Sequence, residues 1–526
     1  MSANVPGPNV SNAAEPSGPP LHAASGGDGT PPPPPFEQLW GHPKPLWMLF
    51  MTEFWERFAF YGIRWALTLY IVAQFAGGDA AGQGDASRTY GAFLALVYAT
   101  AVFGGYVADK IIGYQRSILV GAVVMAAGLF MIMIPNHQIF LLGLSTVIVG
   151  NGLFKPNISS MVGQLYAQGD SRRDRGFTIF YMGINGGALI APLLTGWLAE
   201  QVFGTPMVQN YKVVFAASGI GMLISLFWFW FGRRQLLGVG RPAEEGAASR
   251  MRVVYVVLGA ILAIPVIYML MSQVGAVGLQ WLLMALMAGV GVMLVVEAMR
   301  TGKVQIERVI AMLIIFAFNV LFWMFFEQAG SSFNFLAQNI VDRDLFAPGG
   351  FVFPVGWFQS VNPVAVVLLA PLVALTWGYL DKRRMEPSIP RKFGLGLIFN
   401  AVAFALLMYA LTGLVNADGQ IPFWPLALVY VLQTVGELCL SPIGLSMVTK
   451  LAPSRLVGLG MGGWFLSTAI GNNLSGIFAG SVSGETGMTV ASALKGFSFG
   501  FWSLLGAGVL LFLIAPLINK LMHGVK

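Results

Sequence analysis

Four charged side chains lie close together in the first long apolar stretch of the chain. Glu53, Glu56, Arg57 and Arg64 occur in T-E-F-W-E-R-F-A-F-Y-G-I-R-W. In a helix, at about 100° per residue, Glu53, Arg57 and Arg64 share one face within about 60°. Glu53 and Arg57 also have the i,i+4 spacing of a favourable ion pair. Carboxylates and guanidinium groups in such a stripe can carry protons and hold charged ligands, so the pattern predicts a water-accessible path along this helix.

Three more charged residues lie inside other apolar runs. They are Lys155 in G-N-G-L-F-K-P-N-I, Glu327 in F-W-M-F-F-E-Q-A-G-S-S and Glu437 in T-V-G-E-L-C-L-S-P. A charge at the centre of a bilayer costs a few kcal/mol or more, so these groups are expected to face one another or a common cavity. Together with the first cluster they make four carboxylates and three cations. One bound proton would therefore neutralise the set.

The elements that must position these groups are membrane helices. Of 526 residues, 56% are apolar and 10% are charged, and the mean hydropathy is +0.71. Soluble globular classes are excluded, because such proteins have about 25% charged residues. Fourteen apolar runs are long enough for a bilayer core of about 30 Å, the first of them spanning 46–76. The basic residues fall mainly in alternate loops, which predicts an all-α, multi-pass membrane protein with both termini in the cytoplasm, and not a nucleic-acid-binding face.

The chain also has a partial internal repeat. The loop G-Y-V-A-D-K-I-I-G-Y-Q-R, with Gly105, Asp109 and Arg116, is echoed after the tenth run by Gly378 and Asp381. The first copy resembles the loop motif of the major facilitator superfamily and predicts a gating or topology element, with a simple capped turn as the alternative. Repeated halves are usual in secondary transporters. The predicted divisions are a disordered tail 1–42, a six-helix bundle 43–234, an inserted hairpin 235–303 and a second bundle 304–526.

Several motifs resemble those of the proton-dependent oligopeptide transporter family. The first helix carries E-x-x-E-R at Glu53, Glu56 and Arg57. The stretch 180–185 reads F-Y-M-G-I-N, and 326–332 reads F-E-Q-A-G-S-S. The resemblance implies a bacterial cytoplasmic-membrane symporter that imports di- and tripeptides with protons by alternating access. It also implies function as a monomer in the bilayer, driven by the proton gradient without a cofactor.

The resemblance assigns roles to individual residues. Arg64 and Lys155 would hold the peptide carboxylate, and Asn185, Asn362 and Glu437 its amino terminus. The side-chain pockets would be lined by Tyr61, Tyr98, Tyr181, Trp323, Ser441 and Trp464. Proton coupling would involve Glu53, Glu56, Arg57 and Glu327, with Glu327 also near the substrate and exchanging partners with Arg64. Two positions depart from relatives: Phe60 replaces a common tyrosine, and Gly91 replaces a histidine of animal members.

Other functions agree less well with these residues. A proton-linked drug or other small-zwitterion transporter of the same superfamily would share the polar cavity and the loop motif. A membrane enzyme is disfavoured because no cluster of His, Cys or paired Asp supplies metal ligands or a nucleophile with its base. The four histidines are expected to be solvated in tails and loops; they are His22, His42, His137 and His523.

Overall fold

The computed structural model describes residues 33–167, 170–242, 246–346 and 349–525, and these residues are mainly α-helical. The helices of the first half are α1 Lys44–Arg64, α2 Ala66–Phe75, α3 Gln83–Val107, α4 Tyr114–Met131, α5 His137–Gln164, α6 Arg173–Trp197 and α7 Tyr211–Gly232. The next two are α8 Ala247–Met269 and α9 Gly275–Thr301. The second half holds α10 Lys303–Phe326, α11 Ser332–Asn339, α12 Val361–Lys382, α13 Ile389–Gly413, α14 Phe423–Leu451, α15 Val457–Ser483 and α16 Val490–Leu521.

Within the described ranges, eleven helical segments are long and apolar enough to cross a membrane, or twelve if the bent pair α1 and α2 is one span. One of the eleven, Ala248–Thr301, contains both α8 and α9. The chain turns between them at Gly275, whose φ of +65° favours glycine. Helix α15 is also of spanning length, but Asn472 and Asn473 make it more polar, and it packs between α3 and α10.

The sequence predicts one membrane helix over 46–76. The structure instead has two helices there, α1 and α2, joined at an angle of 43°. The bend lies at Trp65. There, the side chain of Asn334 donates a hydrogen bond to the Trp65 carbonyl oxygen at 2.9 Å. A side chain that inserts into the backbone ladder is a usual cause of a kink. The bend therefore depends on a residue more than 260 positions away.

The two halves meet closely where α3 crosses α15. A Cβ atom at Gly91 would lie 2.7 Å from the Cα of Gly476 and 2.9 Å from the carbonyl oxygen of Asn472. Both are backbone atoms of α15, so no flexible side chain can give way. Position 91 is therefore a helix-packing position here, and a histidine would not fit.

We expect Gly91→Ala to destabilise the protein, because the two helices must separate to admit even one methyl group. Overpacking of this kind costs about 1–3 kcal/mol. The matched control is Gly506→Ala on α16, where an added Cβ meets nothing within 4 Å. Thermal unfolding in detergent should show a lower melting temperature for the Gly91 variant only. Equal melting temperatures would contradict the packing role.

A short strand pair precedes α1. Strand β1, Gln38–Leu39, pairs antiparallel with β2, His42–Pro43. Arg172, in the loop after α5, donates to Gln38 Oε1 at 3.0 Å, and its hydrogen bonds to Asp170 hold the pKa of that carboxyl at about 2. The loop ion pair thus stays charged at neutral pH.

The residues just before α1 are more ordered and more buried than the sequence predicts. The part of the predicted 1–42 tail that is described, from residue 33, includes β1 and the buried Phe36, while residues 1–32 lie outside the described residues. The prediction that His42 is solvated is wrong: it is buried, and its Nδ1 is hydrogen-bonded to the Tyr166 hydroxyl at 2.8 Å. A second pair, β3 Asp344–Leu345 with β4 Phe351–Val352, lies between α11 and α12.

Candidate functional site

The charge cluster of α1 is a buried, closely bonded group. Arg57 Nε lies 3.1 Å from Glu53 Oε1 and 2.5 Å from Glu56 Oε2, and Arg57 Nη2 donates to Glu56 Oε1 at 2.6 Å. Asn151 on α5 donates to the same Glu56 oxygen at 3.0 Å. The Oε2 atom of Glu53 is buried without a hydrogen-bond partner among the described residues. Glu56 is thus firmly held by Arg57 and Asn151, whereas Glu53 is the less satisfied carboxylate.

Arg64 and Glu327 join the two halves. Arg64 Nη2 lies 2.5 Å from Glu327 Oε2, and the 12% and 5% exposure of these side chains leaves the pair largely dry. Arg64 Nε also donates to the Tyr90 hydroxyl at 2.9 Å. The structure thus brings together the two groups that the family resemblance pairs as exchange partners. The sequence does not indicate Tyr90 as a site residue, because placing an uncharged tyrosine in a membrane helix carries no large free-energy cost.

Lys155 has a different environment from the two arginines. Its Nζ lies 4.6 Å from the centroid of the Tyr98 ring, a cation–π contact. No carboxylate of the described residues lies within 4.0 Å of this ammonium group. Lys155 can therefore receive an anionic group of a ligand without first breaking an ion pair.

Glu437 lies on α14 in the second half. Its Oε2 accepts a hydrogen bond from Asn362 Nδ2 at 3.0 Å, and the same amide donates to Thr434 at 2.8 Å. Ser441, about one turn further along α14, has a buried hydroxyl with no partner among the described residues. Carboxylate, amide and hydroxyl groups are thus available together for an ammonium group.

Three other predicted site residues, Asn185, Trp323 and Trp464, bond or pack against neighbouring helix residues and not against the charged groups. Asn185 donates to the Tyr181 carbonyl at 2.9 Å in its own helix and does not bond Asn362. The Trp323 indole donates to Asn319 at 3.1 Å. Trp464 is buried against Gly444, where a Cβ would approach its ring within 2.0 Å. In this conformation Trp464 packs α14 against α15.

A narrow pocket lies between the halves beside the Arg64–Glu327 pair. It is lined by Tyr61, Arg64, Phe326, Ala329, Gln359, Asn362, Tyr430 and Gln433. The sequence does not predict three of these residues, Gln359, Tyr430 and Gln433. Neutral polar side chains are common in membrane helices, because they lack the free-energy cost of a buried charge. Phe60 makes no hydrogen bond from its ring; it stacks on Phe93 with centroids 6.2 Å apart and lies 5.2 Å from the Arg57 guanidinium.

Another buried ion pair closes one end of the molecule, here named the closed end, where α2, α11 and residues 355–360 meet. Arg343 Nη1 lies 2.9 Å from Glu200 Oε2 and also donates to the Phe353 carbonyl at 2.9 Å. The backbone N–H of Val355 donates to Glu200 Oε1 at 3.0 Å. Glu200 comes from the first half and Arg343 from the second.

Sequence reasoning did not identify this pair as part of the site. Glu200 lies at the end of an apolar run, in W-L-A-E-Q-V, which was the available indication. At the opposite end, Ser160 on α5, Tyr181 on α6 and Leu445 on α14 are exposed. These three side chains are accessible there, whereas Glu200 and Arg343 are buried at the closed end.

The predicted loop motif lies between α3 and α4 and contacts α8. The Asp109 carboxylate accepts a hydrogen bond from Tyr114, and Arg116 donates to the Ser249 hydroxyl at 2.5 Å. A Cβ at Gly105 would meet nothing within 4 Å. The motif is thus tied to the inserted segment, and its role in gating stays a prediction.

Two helical halves that meet around buried paired charges, and that are joined at one end by a further buried ion pair, are the usual build of a secondary transporter. The POT family model matches residues 115–493. The chain belongs to the POT family, and it is a multi-pass membrane transporter, not an enzyme.

Characterised relatives and solved structures agree with this assignment. The chain is 35% identical to the peptide transporter YePEPT of Yersinia enterocolitica over 93% of its own length and 97% of the relative. It is 33% identical to dipeptide and tripeptide permease B of Xenorhabdus bovienii, with coverage of 92% and 97%. It resembles a crystal structure of the peptide transporter POT in complex with sulfate, with a TM-score of 0.79, 32% identity and coverage of 93% and 98%. A POT family transporter in complex with 5-aminolevulinic acid has a TM-score of 0.77, 29% identity and coverage of 92% and 99%.

Proposed function

We propose that this protein is a proton-coupled symporter that imports di- and tripeptides. The observation that carries the proposal is the arrangement of Lys155 and Arg64 on one side of the central space and Glu437 with Asn362 on the other. A zwitterionic peptide has a carboxylate for the first group and an ammonium for the second. The relatives named as peptide transporters and permeases support the same substrate class.

The proposed coupling step uses competition for Arg64. A peptide carboxylate that binds Arg64 releases Glu327 from its 2.5 Å partner. A buried carboxylate without a cation favours its neutral, protonated form. Because the seven central charges comprise four carboxylates and three cations, one proton on Glu327 makes the cavity neutral. A zwitterionic peptide adds no net charge, so the loaded transporter can close. Glu53, Glu56 and Arg57 would relay or respond to this change, and no cofactor is required.

We also infer that the chain crosses the membrane fourteen times. Twelve spans, the separate counting of α8 and α9, and the polar helix α15 together give fourteen. An even number places both termini on one side, and the basic loops favour the cytoplasm. The protein would then lie in the bacterial cytoplasmic membrane as a functional monomer. The closed end would face outward, so the described conformation would be closed to the outside.

Uptake into proteoliposomes tests the proposed function. With an imposed inward proton gradient, we expect a labelled dipeptide to accumulate above its external concentration and a protonophore to abolish the accumulation. An excess of unlabelled dipeptide should compete, whereas the same dipeptide with an acetylated amino terminus should compete weakly. Dipeptide accumulation that is unchanged by the protonophore would contradict the coupling of peptide transport to protons.

The retained alternative is a transporter of another small zwitterion or of drugs. The related POT transporter solved with 5-aminolevulinic acid is the observation that keeps it open. Labelled 5-aminolevulinic acid in the same proteoliposomes distinguishes the two. Its accumulation without any dipeptide uptake would replace the peptide proposal.

A further inference from the structure

Four arginines line one pocket at the edge of the first bundle. Arg116, Arg233, Arg234 and Arg241 surround a volume of about 280 Å³, together with Gln115 and Pro242. These residues come from the start of α4, the end of α7 and the loop that follows α7. None of them belongs to the central transport site. So many guanidinium groups around one space favour a multivalent anion such as a phosphate group.

The pocket is built by specific backbone contacts. The N–H of Gln115 donates to the Gly240 carbonyl at 3.0 Å, and the Gln115 side chain donates to the Val239 carbonyl at 2.6 Å. Gly113 has a φ of +81°, and a Cβ there would lie 2.7 Å from the backbone nitrogen of Pro242. The loop after α7 is therefore fixed against the start of α4.

The charge of this region is strongly positive. Segment 233–252 contains five arginines and two glutamates, so it stays positive even with both glutamates counted. Arg116 donates to Ser249, and the Arg233 guanidinium lies 4.0 Å from the Trp230 ring centroid. Within the described ranges, no carboxylate lies within 4.0 Å of the Arg116, Arg233 or Arg234 side chains.

An apolar groove adjoins the pocket. It has a volume of about 560 Å³ between α3, α5 and α8, and its walls include Phe103, Val107, Leu153, Val256 and Ile267. Its near end at Tyr255 is six residues beyond Ser249, which is about 9 Å along α8. Arg116 binds Ser249 and lines the pocket, so the basic pocket and the groove are neighbours.

We propose that an anionic phospholipid binds here, with its phosphate held by Arg116, Arg233 and Arg234 and an acyl chain in the groove. The basic pocket and the apolar groove together fit a single phospholipid molecule. Basic side chains at the membrane edge complement its headgroup, and an apolar groove at membrane depth complements its acyl chain. A zwitterionic choline headgroup would place a cation among arginines and is disfavoured. The bound lipid joins α8 to the first bundle.

The test compares lipids and variants of the full-length protein in detergent. Dioleoyl phosphatidylglycerol should remain bound in native mass spectrometry and raise the melting temperature, and dioleoyl phosphatidylcholine should do so much less. The double variant Arg233→Gln/Arg234→Gln should bind phosphatidylglycerol about thirtyfold more weakly, since each basic residue near the surface contributes about 1 kcal/mol. The matched control is Arg383→Gln/Arg384→Gln, in the loop after α12, which should bind as the wild type does.

A second pair of variants tests the groove. A Cβ at Gly259, on the groove wall, meets nothing within 4 Å, so Gly259→Leu should fill the groove without disturbing the fold and should weaken lipid retention. Gly289→Leu on α9, also in open space, is its control. Equal binding of the two lipids, or undiminished binding by the double arginine variant, would overturn the proposal. A melting shift reproduced by inorganic phosphate, with phosphatidylglycerol binding unaffected by Gly259→Leu, would also overturn it and make the pocket a free-phosphate site.

Discussion

Glu327→Gln should abolish proton-driven accumulation of dipeptide while leaving exchange of dipeptide across the membrane measurable. The reason is that glutamine keeps the size and a hydrogen bond to Arg64 but cannot gain or lose a proton. At a membrane potential of 100 mV, one moved charge supplies about 2.3 kcal/mol, or a gradient of roughly fiftyfold. We therefore expect the steady-state accumulation ratio in proteoliposomes to fall from tens to near one.

The matched control is Glu297→Gln on α9, a carboxylate paired with Arg300 near the surface. It should accumulate dipeptide as the wild type does. Counterflow, in which internal unlabelled dipeptide drives entry of labelled dipeptide, reports whether the Glu327 variant still folds and binds. Uphill accumulation by Glu327→Gln equal to that of the wild type would place the coupling proton on another group. Loss of both accumulation and counterflow would mean that Glu327 is needed for binding itself.

Arg343→Met should open the closed end. It leaves Glu200 buried without its cation, and breaking a buried ion pair costs about 3–5 kcal/mol. If that cost falls only on the closed conformation, where the pair is dry, the balance of conformations shifts by about two to four orders of magnitude. The pair joins the halves, so opening relieves the isolated charge.

Thiol labelling measures this shift. The single cysteine, Cys439, is buried, so a Cys439→Ser background with Ala329→Cys places one reporter in the pocket behind the closed end. A membrane-impermeant maleimide added outside should label this reporter much faster when Arg343→Met is present.

Two controls make the labelling experiment specific. Glu200→Gln combined with Arg343→Met removes both charges and should restore much of the protection, since the glutamine still accepts from Val355. Arg88→Gln breaks an exposed ion pair with Asp85, and pairs of that kind contribute about 0–1 kcal/mol, so labelling should not change. A labelling rate unaffected by Arg343→Met would show that the Glu200–Arg343 pair does not hold the closed end shut.

The class of protein and its central charges could be predicted from the amino-acid sequence. Apolar runs of about 20 residues have few stable arrangements outside a bilayer, and a charge inside such a run must be compensated. That constraint is local, so Arg57, Arg64, Glu327 and Glu437 could be recognised from their neighbours alone. Motifs such as F-E-Q-A-G then indicated the family, because they combine several unusual residues at fixed spacing.

Contacts between residues far apart in the chain could not be predicted and are known only from the fold. Asn334 bends the first span at Trp65, Gly91 meets Gly476, and Glu200 meets Arg343 across 143 positions. Neutral hydrogen-bond partners such as Tyr90 and Asn151 could also be identified only from the fold. A hydroxyl or amide in an apolar helix carries a small free-energy cost, so such residues do not stand out in the sequence. Burial costs fix which charges require partners, but only the packing of helices decides which partners they have.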